Sequence, residues 1–338
     1  MIEPILDKKF LTGLIAYTCS YIPVELLAAT GKRPYRLLHG SQEYIAKSQT
    51  YVRVDACPLI KANLTYIITN QEKFAAIVGS TGCDMARRLF DVINEFTNIP
   101  TLIIDNPRTD RFQIYSDEID WLVKELNRAF SIDIDNEMLG SIISTWQDKR
   151  DLYHDCTARQ RSNPSRVAST DLFTLASVYH QGQINEMSDL AENISYKPRV
   201  YMIGSAISYE SYWLLELIEQ YLRIVGDSVC GFSRFSEITV TEPNLAGLKR
   251  AYYDQHGCFN KKPNTKFYDG LGQRIAASAA QGIITFTLDY CDAYEFELSR
   301  IQKKFDMPML RLRSDFSRQN LSQLKVRIEA FAELLGNK

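Results

Sequence analysis

The sequence predicts an α/β fold of two parallel-sheet lobes with a helical segment between them, and three observations predict it. "FAAIVGSTGCDMARRLFDVI", residues 74–93, reads as a buried strand, a Gly-rich turn and an amphipathic helix. "KPRVYMIGSAIS", residues 197–208, restarts that pattern after a long interval with no convincing strand. "GIITFTLDYCDAYEFELSRIQKKF" with "MPMLRLRSDFS", residues 282–305 and 307–317, repeats it as strand, helix and strand. Continuous apolar runs, rather than alternating ones, mark strands covered on both faces, as in Rossmann/flavodoxin-like sheets.

The elements follow in order. "AYTCSYIPVELLAATGKRP", residues 16–34, passes from strand-like residues through Cys19 and Pro23 into about two turns of apolar helix, closed by Gly31. In "VDACPLIKANL" Cys57 precedes Pro58 and a helix-like run, and "IPTLIIDNPR" is a second buried strand ending in a turn. Residues 1–114 therefore form the N-terminal α/β lobe. Residues 115–196 form a helical segment, with patterns such as "DEIDWLVKELNRAF" and "DLFTLASVYH". Lys197 and Pro198 open the C-terminal α/β lobe, 197–338, whose first strand runs into Gly204-Ser205 and the helix "YESYWLLELIEQYL". The two lobes read as distant structural copies.

Composition bounds the function. At 338 residues, 45% hydrophobic and 24% charged, the chain has room for more than one core. A net charge of −2 gives no electrostatic footprint for nucleic acid. No apolar stretch is long enough to span a bilayer, and "MIEPILDKKF" lacks the pattern of a signal peptide, so a cytoplasmic location is expected and no membrane partner.

Seven cysteines remain to be explained: Cys19, Cys57, Cys83, Cys156, Cys230, Cys258 and Cys291. Their odd number and wide spacing do not suggest a disulfide framework, and no CxxC pair is present. Cys83 and Cys291 each follow a strand and precede an aspartate at a helix start, while Cys19 and Cys57 also precede helices. Ligands of open parallel sheets gather at the carboxyl ends of strands, and helix N-termini favour thiolate. Four such thiols can face a common crevice between the lobes. Any single one of them also reads as a small buried core residue.

The ordered set "YTCSYIPVELLAATGKRPYRL", "DACPLIKANL", "GSTGCDMARRLFDV", "RVYMIGSAIS", "GDSVCGFSRF", "GIITFTLDYCDAYEFE" and "RLRSDFSRQNLSQLKVRIEAFAELL" covers nearly the whole chain. It resembles the 2-hydroxyacyl-CoA dehydratase and benzoyl-CoA reductase family, in particular the iron–sulfur subunit of the 2-hydroxyglutaryl-CoA dehydratase type. The resemblance implies a [4Fe–4S] cluster in the crevice, held by three cysteines, with Cys19, Cys57, Cys83 and Cys291 as candidates for three places. Cys57 and Cys291 lead that set, Cys258 is a fifth candidate, and Cys156 and Cys230 read as structural. The implied activity is radical elimination of water from a 2-hydroxyacyl-CoA, with the electron supplied by an ATP-hydrolysing iron–sulfur activator. The chain has no GxxxxGK[ST] loop of its own, so ATP hydrolysis belongs to that partner. A homologous second subunit or a self-dimer is also implied. The alternatives are an ATP-coupled reductase, including a double-cubane cluster protein, and a non-catalytic binding protein of the same fold.

Other polar residues enter as candidates. Glu25 stands in the family's Cys-x-x-x-Pro-x-Glu register and reads as an acid or base, or as a first-turn glutamate facing the helix dipole. Ser20 reads as a substrate or cluster contact, or as a helix cap. Asp84 and Asp292 read as caps. Gly204-Ser205 resembles a backbone-donor turn for a phosphate or thioester oxygen. "KKPNTK", residues 261–266, can meet CoA phosphates or simply be solvated. His39, His154, His180 and His256 show no metal-ligand spacing.

Overall fold

The computed structural model describes residues 13–255 and 257–336, so the N-terminal "MIEPILDKKF" and His256 lie outside the described residues. Among the described residues, eight strands form two four-stranded parallel sheets. The first contains β1 (Leu14–Tyr17), β2 (Arg33–Arg36), β3 (Phe74–Ser80) and β4 (Thr101–Ile104), in the order β2-β1-β3-β4. The second contains β5 (Arg199–Gly204), β6 (Arg223–Val229), β7 (Gly282–Leu288) and β8 (Met309–Ser314), in the order β6-β5-β7-β8. The two orders are the same, each with its first strand second from one edge.

The apolar runs explain the central strands: β1, β5 and β7 are buried along their whole length. The edge strand β8 alternates instead, with Leu310 and Leu312 inward and Arg311 and Arg313 outward. Strand β2, "RPYR", has no strand signal in sequence. Pro34 is tolerated because β2 lies at an edge, with β1 as its one neighbour among the described residues.

Helices α1 (Val24–Ala29), α2 (Gln42–Lys47), α3 (Pro58–Thr69) and α4 (Asp84–Phe96) accompany the first sheet. Helix α4 buries Leu89, Phe90 and Ile93, and Gly79 of β3 lets Phe90 sit where any Cβ would be 2.1 Å from its ring. Between the sheets run α5 (Phe112–Phe130), α6 (Asn136–Arg161) and α7 (Ser169–His180). Asp135 caps α6 by accepting from the Met138 N–H at 2.8 Å. That helix buries Leu139, Ile143, Trp146, Arg150, Tyr153, Thr157 and Gln160, a spacing of three and four that keeps one face in the core. It packs on α1 and α7 and on β6, so it touches both sheets' surroundings.

The second sheet is accompanied by α8 (Tyr212–Glu219), α9 (Leu245–Asp254), α10 (Thr265–Ser278), α11 (Asp292–Lys304) and α12 (Leu321–Gly336). One hydrophobic core runs from β1 and β3 through α6 and α7 to β5 and β7, and a smaller one lies under α10 and α11. Hydrogen bonds also stitch the two sheets' loops together. The Asn260 amide donates to Gly82 O at 2.9 Å, and the Tyr209 hydroxyl donates to Arg36 O at 2.8 Å. Among the described residues no helix is long and apolar enough to cross a membrane.

Candidate thiol site at the strand ends

Parallel strands deliver their carboxyl ends to one side of each sheet, and the cysteines sit in the loops there. Cys19 follows β1, Cys83 follows β3, Cys230 follows β6 and Cys291 follows β7. Cys57 and Cys258 lie in the loops before α3 and after α9. Cys57, Cys83 and Cys291 occupy the N-cap positions of α3, α4 and α11. Asp84 and Asp292 are therefore first-turn residues, not caps, and Asp84 pairs with Arg108 at 2.8 Å. At the N-caps the thiols meet first-turn backbone N–H groups: those of Leu59 and Ile60 at Cys57, Met85 and Ala86 at Cys83, and Tyr294, which also donates to Cys291 O at 3.2 Å, at Cys291.

The thiols also feel one another. Burial, then the neighbouring Cys291, push Cys57 up to about 12, and Cys83 adds to the push. Cys83 is the exposed member as a residue, yet its surroundings crowd the thiol, and burial pushes it up to about 11 against the pull of the Ala86 N–H. Cys291 is raised by burial and lowered by a hydrogen bond with Ser205, with Cys230 nearby. Cys258 is pushed up to about 11 by burial, against the pull of Arg234, with Cys230 and Cys19 as further neighbours. The interactions sort the thiols into two groups: Cys57, Cys83 and Cys291 in one, and Cys19, Cys230 and Cys258 in the other. Cys230 lies near both, where the sequence suggests only a structural thiol. Cys156 stands apart, buried in α6 against Arg159 at 3.3 Å and Asp189 at 3.5 Å.

These thiols suit an iron–sulfur cluster in their donor chemistry. The anionic forms of Cys57, Cys83, Cys258 and Cys291 are disfavoured by burial and by neighbouring thiols, and a cationic iron centre would relieve both penalties while displacing the protons. Among the described residues no three Cys, His, Asp or Glu side chains close around one point as a single metal ion requires. A cluster differs from such an ion because each of its irons takes a separate thiolate, which spreads the ligands.

Cations border the thiols. Burial works against the charge of Arg234, but Cys258, Tyr21 and Cys230 outweigh it and hold the guanidinium protonated. Lys261 is half-buried and its pKa is lowered by burial, with Cys258 and Cys19 pulling the other way. Its ammonium donates to Asn106 Oδ1 and Pro107 O and stands 4.9 Å from the Tyr21 ring centroid. "KKPNTK" is thus not simply solvated, since its first lysine ties the second lobe to the loop after β4.

The remaining candidates fall elsewhere. Glu25 is fully buried, its Oε1 taking the Arg150 guanidinium at 2.5 Å and its Oε2 the Tyr252 hydroxyl at 2.7 Å. Both oxygens are committed, so the arrangement is a buried ion pair joining α1 to α6 and α9. Ser20 does not cap α1, whose N-cap is Pro23. The Gly204-Ser205 turn is not a free anion cradle either, because the Ser205 N–H donates to Phe286 O at 2.8 Å. Gly204, at φ +147°, leaves no room for a Cβ against that carbonyl. The Ser205 hydroxyl instead accepts from the Leu288 N–H at 3.1 Å and reaches Cys291. His39 is buried, stacked on Tyr66 at 3.7 Å and paired with Glu210 at 2.9 Å, and His154 is exposed on α6.

Residues 19–335 match the family model described as 2-hydroxyglutaryl-CoA dehydratase, D-component. The chain is 22% identical to a putative dehydratase subunit YjiM of Escherichia coli K12, the match covering 95% of this chain and 91% of that one. It is also 22% identical to the beta subunit of (R)-phenyllactyl-CoA dehydratase of Clostridium sporogenes, over 96% and 92% of the two chains. Similarity to subunit beta of lactoyl-CoA dehydratase of Anaerotignum propionicum is 19%, again over 96% and 92%.

Proposed function

Because the chain belongs to the 2-hydroxyglutaryl-CoA dehydratase D-component family, we propose that it is the iron–sulfur subunit of a 2-hydroxyacyl-CoA dehydratase. The observation that carries this reading is the mutual electrostatic contact of thiols drawn from the loops of both sheets. Cys57, Cys83 and Cys291 would hold a [4Fe–4S] cluster, which leaves Cys19 outside that set of three. When bound, the cluster supplies a low-potential electron and, on its fourth iron, a Lewis-acid position.

The chain's own residues do the rest. The Ser205 hydroxyl fixes the Cys291 thiol, and Arg234 keeps a positive charge beside Cys230 and Cys258. Lys261, whose ammonium is held by Asn106 Oδ1 and Pro107 O, places a second positive charge beside Cys258 and Cys19. Glu25 is not assigned proton transfer, since its carboxylate is locked in the ion pair with Arg150. The names of the relatives from Clostridium sporogenes and Anaerotignum propionicum support a partner subunit. The reading includes an external ATP-hydrolysing activator, which the family resemblance implies.

A second reading, an ATP-coupled reductase with a larger or second cluster, is favoured by the second group of thiols, Cys19, Cys230 and Cys258. Anaerobic purification followed by iron and acid-labile sulfide assays and EPR separates the two. One [4Fe–4S] equivalent per chain, with far less than one ATP consumed per product in the presence of the activator, supports dehydration. About two equivalents with a fixed ATP ratio of one or more supports reduction. Iron-free protein from an anaerobic preparation would sink both.

A further inference from the structure

The segment from Cys258 to Pro263, between α9 and α10, belongs to the second lobe but lies across strand ends of the first. Its ties reach three loops there. The Cys258 N–H meets the Tyr21 hydroxyl in the loop after β1. The Asn260 amide donates to Gly82 O, next to Cys83 in the loop after β3, at 2.9 Å. The Lys261 ammonium donates to Asn106 Oδ1 and Pro107 O, and the Lys262 N–H to Arg108 O, all in the loop after β4. Gln255, just ahead of the segment, donates its side-chain amide to Ser20 O at 3.0 Å. Two of these three loops carry Cys19 and Cys83, and the segment itself carries Cys258. It therefore covers part of the crevice in which the thiols meet.

The two sides of the segment are held differently. Toward the second lobe Phe259 is buried, its ring centroid 4.0 Å from that of Tyr294 and 6.3 Å from that of Phe267. Toward the first lobe each tie named above is a hydrogen bond, and the Lys261 ammonium also lies 4.9 Å from the Tyr21 ring centroid. Water replaces hydrogen bonds of this kind at little net cost, whereas it does not replace the packing of a buried phenylalanine. The segment thus parts from the first lobe more readily than from the second. Lys261 contributes most to the hold, with two hydrogen bonds and a ring contact.

We propose that Cys258–Pro263 is a gate over the thiols, latched to the first lobe by Lys261 and anchored to the second by Phe259. Its opening admits small molecules to Cys19 and Cys258. The gate rests on the contacts between the lobes; that it passes the acyl end of a CoA thioester rests on the dehydratase reading.

Alkylation by iodoacetamide, followed at each cysteine by peptide mass spectrometry, tests the gate on the full chain. Any iron is first removed anaerobically by chelation, so the outcome does not depend on which thiols hold a cluster. Lys261→Met should speed alkylation of Cys19 and Cys258 several-fold and leave Cys156, fully buried in α6, as slow as in the wild type. Loss of charge alone acts in the opposite sense. A cation beside these thiols favours thiolate, so removing it without opening the gate would slow their alkylation. Unchanged or slower alkylation at either thiol in Lys261→Met therefore overturns the proposal. An equal rise at Cys156 overturns it too, because that marks general loosening of the fold. Should Lys261→Met fail to fold, Asn260→Ala, which frees Gly82 O, is read by the same criteria.

Discussion

The two sheets have the same strand order and put different side chains at matching places. After the first strand of each sheet comes Cys19 in one and Ser205 in the other. Glutamates follow both, but Glu25 is fully buried against Arg150, while Glu210 keeps a side chain 33% exposed and reaches across to His39 and the Gly40 N–H. After the next strand in each sheet order, β3 and β7, Cys83 and Cys291 both occupy helix N-cap positions, and Cys291 has a hydroxyl partner, Ser205. The topology supplies equivalent positions at strand ends. Which of them becomes a ligand, a positioning group or a structural anchor depends on the residue placed there and on what the other sheet brings opposite.

The strongest way to break this comparison is to remove thiols. Cys57→Ala and Cys291→Ala should each abolish iron binding in anaerobically prepared protein, because ligands from both sheets are needed, while Cys156→Ala should leave the iron content unchanged. Full iron in both of the first two variants would show that the sheets do not share a site.

The paired glutamates come next. Glu25→Gln leaves the Arg150 guanidinium buried without its counter-charge and should cost about 3 kcal/mol or more in urea unfolding. Glu25→Gln combined with Arg150→Met should recover much of that loss, a result that a purely catalytic role for Glu25 does not predict. Glu210→Gln should cost clearly less, because the Glu210 pair is partly open to solvent.

A smaller effect is expected at Ser205. Ser205→Ala removes the acceptor of the Leu288 N–H and should destabilise the chain by about 1–2 kcal/mol. Iron should be retained but with a changed EPR spectrum, because Cys291 loses its hydroxyl. Unchanged EPR would place Ser205 outside the site.

The smallest effect is a pH dependence. Burial acts to raise the Glu210 pKa, but His39 and the Gly40 N–H outweigh it and hold the carboxyl below its ordinary value of 4.5. Its contribution is therefore present above that value and is lost as pH falls through the lower folded one. The stability difference between wild type and Glu210→Gln should shrink over that acid range. A difference that stays constant down to pH 3 would refute the assignment.

Much of the fold is legible because burial on both faces writes itself into composition. Strands β3, β5 and β7 are runs of apolar residues, and Pro58 after Cys57 marks a helix start. Strand β2 is not legible, since "RPYR" gains its strand geometry from pairing with β1 at a sheet edge. The cysteines before helices can be found from turn chemistry, but Cys230, which follows an edge strand, cannot. Its role depends on which loops the opposite sheet brings near, and no local pattern encodes that. The Gly204-Ser205 turn shows the same limit, because only the approach of β7 commits its N–H.

The sequence by itself determined two parallel-sheet segments, the helices between them and a set of thiols at strand-to-helix turns, because these follow from hydrophobic period and capping within a few residues. Tertiary structure decided which thiols neighbour one another and that Glu25 is locked by Arg150. Those outcomes join residues more than a hundred positions apart, or depend on what the packed core excludes, and burial strengthens charge interactions that water would otherwise screen.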